Sequence, residues 1–223
     1  MKRGAMISFS GIDSSGKTTY ITLLKNYFEK RRIKYKVVWS RGGYTSFFEA
    51  AKKLVRFFGG KKLPKSGHSE QRDEMFKKKS ISKTWYILAL LDLIRLYAFT
   101  FRIYKLLGFT VICDRYIWDT YIDFCFQFSE DQIEKSMLWK ILTRIHRKPD
   151  VSLFLFVSPE ESLRRSIEKR EPFSEPLEKR TSRIELYFKL NDNEKWNIAI
   201  CTESREISSV WQEIKETIDN AIF

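Results

Sequence analysis

Thirteen residues near the N-terminus, Ile7 to Thr19 (ISFSGIDSSGKTT), leave few folds open to this chain. An apolar run, Ala5 to Phe9, leads into Gly11-Ile12-Asp13-Ser14-Ser15-Gly16-Lys17-Thr18, which has the form G-x-x-x-x-G-K-[ST]. A helix-like stretch, Thr19 to Lys30, follows. Strand, glycine loop and helix in that order make a phosphate-binding loop. Gly11 and Gly16 can take positive φ, so successive backbone N–H groups turn inward onto phosphate oxygens. The helix points its positive end at the same anion. Lys17 adds a mobile cation for the outer phosphates, and the Thr18 hydroxyl can ligate Mg²⁺. The chain is therefore expected to bind a nucleoside triphosphate.

The rest of the sequence alternates between strand and helix patterns. Strands are expected at Ala5–Ser10, Tyr35–Ser40, Thr110–Asp114, Val151–Val157 and Asn197–Thr202. Helices are expected at Thr19–Arg32, Ser46–Phe58, Ser80–Leu107, about Trp118–Phe126, Gln132–Arg147, Glu160–Lys169, Leu177–Leu190 and Ser209–Ile222. The last is opened by Ser209-Val210-Trp211-Gln212 in capping-box spacing. Gly59–Lys79, with three glycines, Pro64 and several lysines, reads as a mobile surface loop. Glu171–Pro176 carries two prolines between charged flanks and reads as an exposed flap. Most strands are apolar on both faces, which argues for a parallel sheet covered by helices on both sides. With 223 residues, one domain is expected.

In such sheets the ligand sits beyond the carboxyl ends of the strands. Polar residues punctuate those ends: Gly11 to Thr18, Arg41, Asp114-Arg115, and Thr202 to Ser204. An Asp at the end of a neighbouring strand holds Mg²⁺ in phosphate-loop enzymes, which suits Asp114, and Arg115 would face an anion beside that metal. Arg164-Arg165-Ser166-Ile167-Glu168-Lys169-Arg170 sets cations on a helix just before the flap, and Arg180 and Arg183 follow it. Guanidinium groups on a closing flap would stabilise charge on a transferring phosphoryl group.

The net charge of +13 suits anionic ligands. Basic charge alone is a weak pointer to nucleic acid, which is not expected as a partner. The longest apolar window, Ile81 to Leu107, is broken by Lys83, Asp92, Arg95, Arg102 and Lys105, so no membrane partner is expected. Cys113, Cys125 and Cys201 lack metal-like spacing and read as reduced thiols of a cytoplasmic protein.

Taken together, G-I-D-S-S-G-K-T-T, D-R-Y after the third strand, P-D-V-S-L-F-L-F-V-S-P-E-E-S-L-R-R and the arginine-bearing flap resemble the thymidylate kinase family of nucleoside monophosphate kinases. The resemblance runs over most of the chain and is weak between about Gly42 and Lys79. It implies the three-layer α/β/α phosphate-loop fold with a five-stranded parallel sheet and a mobile flap at about residues 165–180. It also implies transfer of the ATP γ-phosphate to dTMP or a related nucleoside monophosphate, Mg²⁺ as cofactor, and a homodimer. Carried over by motif, Gly11, Ser14, Ser15, Gly16, Lys17, Thr18, Thr19 and Arg165 would bind ATP, with Thr18 and Asp114 on the metal. Asp13 would bond the acceptor sugar, and Arg41, Arg95 and Arg115 would meet the acceptor. Lys17, Arg115 and Arg170 would act in catalysis. The sequence departs from the family pattern at Leu90 or Leu91, where a phenylalanine that stacks on thymine is usual. It departs again after D-R-Y, where Asp119 takes a serine place and Asp123 an aromatic one. Both carboxylates are candidate acceptor contacts, since each can accept a hydrogen bond from a hydroxyl. Two other readings stay open: a phosphate-loop kinase for another small anion, and an ATP-binding protein associated with nucleic acid that has no kinase activity.

Overall fold

The computed structural model describes residues 4–40, 79–171, 174–192 and 195–223. Its five strands are β1 (Met6–Ser10), β2 (Tyr35–Trp39), β3 (Thr110–Asp114), β4 (Val151–Phe156) and β5 (Ile198–Cys201). All pair in parallel, in the order β2-β3-β1-β4-β5. β1 is central, with Ile7 level with Ile112 on one side and Val151 on the other. Every residue of β1 is buried, Ser8 and Ser10 included, as a central strand covered by helices on both faces requires. β2 lies at the edge and exposes Val37 and Trp39, so it does not share that burial.

Alternation along the strands splits the core in two. Ile7, Phe9, Leu153 and Leu155 face α1 (Lys17–Lys30) and the final helix, packing on Leu24, Phe28, Val210, Ile214 and Ile218. Met6, Val111, Cys113 and Phe154 face the other layer. That layer is built from α2 (Lys79–Arg95), α4 (Ile117–Cys125), α6 (Met137–Ile145) and α8 (Leu177–Asn191). α2 runs on through a π-helical turn, Leu96–Thr100, into α3 (Phe101–Leu106). The remaining described helices are α5 (Glu130–Lys135), α7 (Pro159–Glu168) and α9 (Ile207–Ile222). The result is the expected α/β/α sandwich.

Three expectations change in detail. The single helix over Gln132–Arg147 is two helices, because Ser136 leaves the helical conformation and its hydroxyl accepts from Trp139 N–H to cap α6. α9 begins at Ile207, two residues early, so Ser209 lies inside the helix and Glu206 precedes it without a side-chain cap. Of the flap span 165–180, residues 165–168 belong to α7 and 177–180 to α8. The expected helix Ser46–Phe58, and the loop Gly59–Lys79 up to residue 78, lie outside the described residues; Lys79 opens α2.

Candidate active site

The phosphate loop leaves the end of β1 at the centre of the sheet. Gly11 has φ 140° and Gly16 φ 92°. A Cβ on Gly11 would sit 2.0 Å from the Leu155 carbonyl oxygen, so β1 and β4 approach each other here at a distance only glycine permits. Among the described residues five non-glycines have positive φ, and four of them lie in this loop or in the turns after β3, α7 and β5: Ser14, Arg115, Arg170 and Ser204. Each costs about 1 kcal/mol or more, strain that the surrounding contacts hold in place.

An open cavity of about 270 Å³ is lined by Asp13, Ser14, Gly16, Lys17, Thr18 and Thr19 from the loop and α1. Trp39, Asp114 and Arg115 complete one wall from the ends of β2 and β3, and Lys169 and Glu171 complete the other. Lys17 is buried; its Nζ donates to the carbonyls of Gly11 at 2.9 Å and Ile12 at 2.6 Å, and to Ser15 Oγ at 3.4 Å. Burial, and then the Arg115 charge, lower its pKa to about 8. Thr18 and Thr19 are exposed at the start of α1, whose first turn has no side-chain cap. Asp114 has its carboxyl raised, chiefly by burial, and its side chain accepts no hydrogen bond from a described residue.

Arg115 leaves β3 with φ 74° and turns its buried guanidinium back to the loop. It pairs with Asp13 Oδ1 and donates to the Gly11 carbonyl at 3.3 Å. Burial would lower its pKa, but the surrounding acidic groups, Asp13 foremost with Asp119 and Asp123, together outweigh this and hold the charge firmly on. Arg165, on α7, donates to the Ser14 carbonyl at 3.4 Å and to the Thr202 carbonyl at 3.1 Å, and its Nε donates to Glu161 at 2.7 Å. It thus ties the phosphate loop to the segment after β5. Thr202 Oγ1 closes the same joint on the Ser15 carbonyl at 3.1 Å. Arg170 is exposed in the turn after α7, and its side chain makes no hydrogen bond or ion pair with a described residue.

The remaining expected acceptor contacts lie elsewhere. Asp119 has no exposed surface. It accepts hydrogen bonds from Ser10 Oγ, Gly11 N–H, Tyr116 N–H and Tyr187 OH. A carboxylate so enclosed cannot also take a hydroxyl from the cleft, which corrects its expected acceptor role. Asp123 accepts from Arg183 at 2.7 Å, and Arg183 also pairs with Glu175, so its carboxylate is committed to the root of the flap. Arg180 is likewise buried there, donating to Ser162, Ser166, Ser174 and the Glu175 carbonyl. Arg95 pairs with Asp92 at 3.0 Å and does not line the phosphate-loop cavity. Leu90 is buried in the core and Leu91 half-exposed, so neither offers an aromatic face. Arg41 lies outside the described residues.

The sequence reading missed Lys169, Glu171 and Trp39. Glu171 accepts from Ser14 Oγ at 3.0 Å and from Ser166 Oγ, joining flap to loop. The only signal for it was its place beside Arg170. Of the charged residues lining the cavity, Lys17, Arg115 and Lys169 are balanced by Asp13, Asp114 and Glu171.

Comparison with known proteins agrees with this fold. The thymidylate kinase family model matches residues 67–214. A curated relative, "Probable thymidylate kinase 2" of Saccharolobus solfataricus, is 28% identical over 99% of this chain and 100% of its own length. The solved thymidylate kinase of Candida albicans superposes with a TM-score of 0.63 at 17% identity, covering 98% of this chain and 92% of that one. That of Ehrlichia chaffeensis gives 0.54 at 21%, covering 97% and 99%.

Proposed function

The chain belongs to the thymidylate kinase family and is an ATP-dependent nucleoside monophosphate kinase, and from that premise we propose that dTMP is its acceptor and Mg²⁺ its cofactor. The observation that carries the reading is the convergence of Lys17, Thr18, Asp114, Arg115 and Asp13 on one cavity at the carboxyl end of the sheet. In this reading the loop N–H groups and Lys17 hold the β- and γ-phosphates of ATP, with Gly11, Ser14, Ser15, Gly16 and Thr19 shaping the cradle. Lys17 exchanges its loop carbonyls for phosphate oxygens. Arg165 and the Thr202 segment border the nucleoside end of ATP. Asp13 takes the acceptor sugar hydroxyl while Arg115, held by Asp13, meets the acceptor phosphate.

Thr18 Oγ1 and the Asp114 carboxylate are hard oxygen donors on one cavity, a set that suits Mg²⁺. Among the described residues no group of three or more His, Cys, Asp and Glu could form a metal cage, so phosphate oxygens and water would complete the shell. Bound there, the metal would neutralise charge on the β- and γ-phosphates. The protein's own part is positioning, plus charge from Lys17, Arg115 and Arg170 as the flap closes. We take residues 1–223 as one kinase domain.

We further propose a homodimer formed through α2 and α3, in the cytoplasm. Leu88, Leu91, Phe99, Ile103 and Leu106 recur at three- to eight-residue spacing along this rod, and Leu106 is 79% exposed. Among the described residues no helix is long and apolar enough to cross a membrane. The test of the acceptor is an ADP-release assay with dTMP, dUMP, UMP, CMP, AMP and GMP. Turnover fastest with dTMP is expected; turnover with none of them overturns the reading.

A further inference from the structure

We propose that Asp119 and Tyr187 form a buried positioning pair that fixes Gly11 and, through it, aims Lys17 and Arg115 for phosphoryl transfer. The inference rests on the kinase reading above. Neither residue lines the cleft: both have no exposed surface. They are connected to it through one residue. Gly11 N–H donates to Asp119 Oδ1 at 3.3 Å. The Gly11 carbonyl receives Lys17 Nζ at 2.9 Å, Arg115 at 3.3 Å and Tyr187 OH at 3.3 Å. The single Tyr187 hydroxyl proton is directed to Asp119 Oδ1 at 2.6 Å, with the Gly11 carbonyl on the long arm of a bifurcated bond, so the hydroxyl touches both ends of the Gly11 residue.

The pair is itself rigidly held. Asp119 Oδ2 accepts from Ser10 Oγ at 2.6 Å and Tyr116 N–H at 2.8 Å, so all four lone-pair directions of the carboxylate are used. It stands in the first turn of α4, where helix N–H groups favour a negative charge. The Tyr187 ring stacks on Phe154 at 5.1 Å and 14°, which fixes the hydroxyl. Burial, then the Asp119 charge, push the phenol far above its ordinary range, so it stays a donor. Asp119 Oδ1 also lies 3.7 Å from the Arg115 guanidinium. Three separate segments, the end of β1, α4 and α8, thus meet at the residue that opens the phosphate loop. A catalytic site held to within a fraction of an ångström needs such a supporting shell.

The test compares Tyr187→Phe, Asp119→Asn and the double variant with wild type. Each single variant is expected to lower kcat about tenfold or more, with KM for ATP and acceptor within about twofold, because a group acting through positioning is felt in the transition state. The double variant should be no slower than Asp119→Asn alone, since one pair is broken once. Additive losses, an unchanged kcat, or a change confined to thermal stability overturns the proposal. Hydrogen exchange of the ligand-free proteins gives a readout independent of turnover. The Gly11 amide should exchange about tenfold faster in Tyr187→Phe while α9 is unchanged, and equal protection overturns the pairing. Faster exchange in a protein whose wild type turns over no acceptor supports the pairing and places the failure with the kinase reading.

Discussion

Lys17 should make the protein less stable while making it active. Its ammonium is buried against the loop, and burial lowers its pKa from 10.5 to about 8. The charged form is therefore disfavoured in the folded state by about 3 kcal/mol, at 1.36 kcal/mol per pK unit. Lys17→Met removes the charge and keeps an unbranched side chain of similar reach. It also removes three donated hydrogen bonds, to the Gly11 and Ile12 carbonyls and, at 3.4 Å, to Ser15 Oγ. The Gly11 carbonyl still receives Arg115 and Tyr187, and the Ile12 carbonyl keeps Ser15 N–H at 3.4 Å, so that loss costs about 1 kcal/mol. The net gain is about 2 kcal/mol at neutral pH, or about 4–8 °C in Tm for a chain of this size. The gain has a definite pH dependence. Between about pH 8 and 10.5 the unfolded chain still holds the Lys17 proton and the folded protein has released it, so wild-type stability rises with pH through that window. The variant lacks this term. Urea unfolding of the ligand-free proteins at neutral pH and at about pH 9.5, with chelator present, should show the variant's advantage full at the lower pH and mostly gone at the higher. Other lysines and tyrosines titrate in both proteins and cancel in the difference. A variant less stable than wild type at neutral pH, or a gap that does not change with pH, refutes the reasoning. Phosphoryl transfer should be abolished in the same variant.

Arg170→Ala should lower kcat about 100-fold with little change in either KM and no change in Tm, because its exposed side chain makes no hydrogen bond or ion pair with a described residue and would act only on the closed flap. A rise in KM alone removes Arg170 from catalysis. Arg165→Ala should raise KM for ATP about tenfold, roughly 1.4 kcal/mol, with kcat nearly kept, because the link between Ser14 and Thr202 is lost. An unchanged KM excludes that link from ATP binding. Glu171→Gln should tighten ATP binding about three- to tenfold by calorimetry at low salt, since one carboxylate beside the phosphate loop is neutralised. Equal or weaker binding shows that its hold on Ser14 matters more than its charge.

The parts of this protein set by local chemistry were legible before the fold was known. Ile7, Phe9 and the glycines of the loop carry their structure in residue type: apolar runs between loops make buried strands, and a spaced glycine pair followed by a lysine makes a phosphate cradle. Ser136 was harder, because a capping serine inside an apolar periodic stretch does not interrupt the period. Asp119 could not be read at all. Its motif position pointed to the acceptor, while its actual surroundings come from Ser10, 109 residues earlier, and Tyr187, 68 residues later. Burial of a carboxylate is decided by which donors the topology brings to it, and spacing along the chain does not report that. Arg180 and Arg183 were misread for the same reason. A helix rich in arginine looks like a cationic face until Glu175, Asp123 and four oxygen acceptors are brought around it.

The charges at the cavity supply a reason for the proposed flap to move. Lys17, Arg115 and Lys169 face Asp13, Asp114 and Glu171, so the walls are nearly neutral. A triphosphate adds several negative charges at once, and the acceptor phosphate adds more. Coulomb energies at about 4 Å reach several kcal/mol where water is partly excluded, so a neutral cleft would not hold both substrates close together. In the proposed reading two changes would supply the missing positive charge: Mg²⁺ in the Thr18–Asp114 site, and Arg170 brought in from solvent. Glu171, next in sequence, would move with it. A turn that carries Arg170 inward while drawing Glu171 off Ser14 changes the cavity by up to two charges in one motion. Closure would then be driven by the substrates' own charge, and it would be weak when only one of them is bound. ATP alone should therefore order residues 169–171 less than ATP and acceptor together, which hydrogen exchange of this turn can measure; equal protection in the two states would separate flap closure from the charge of the second substrate.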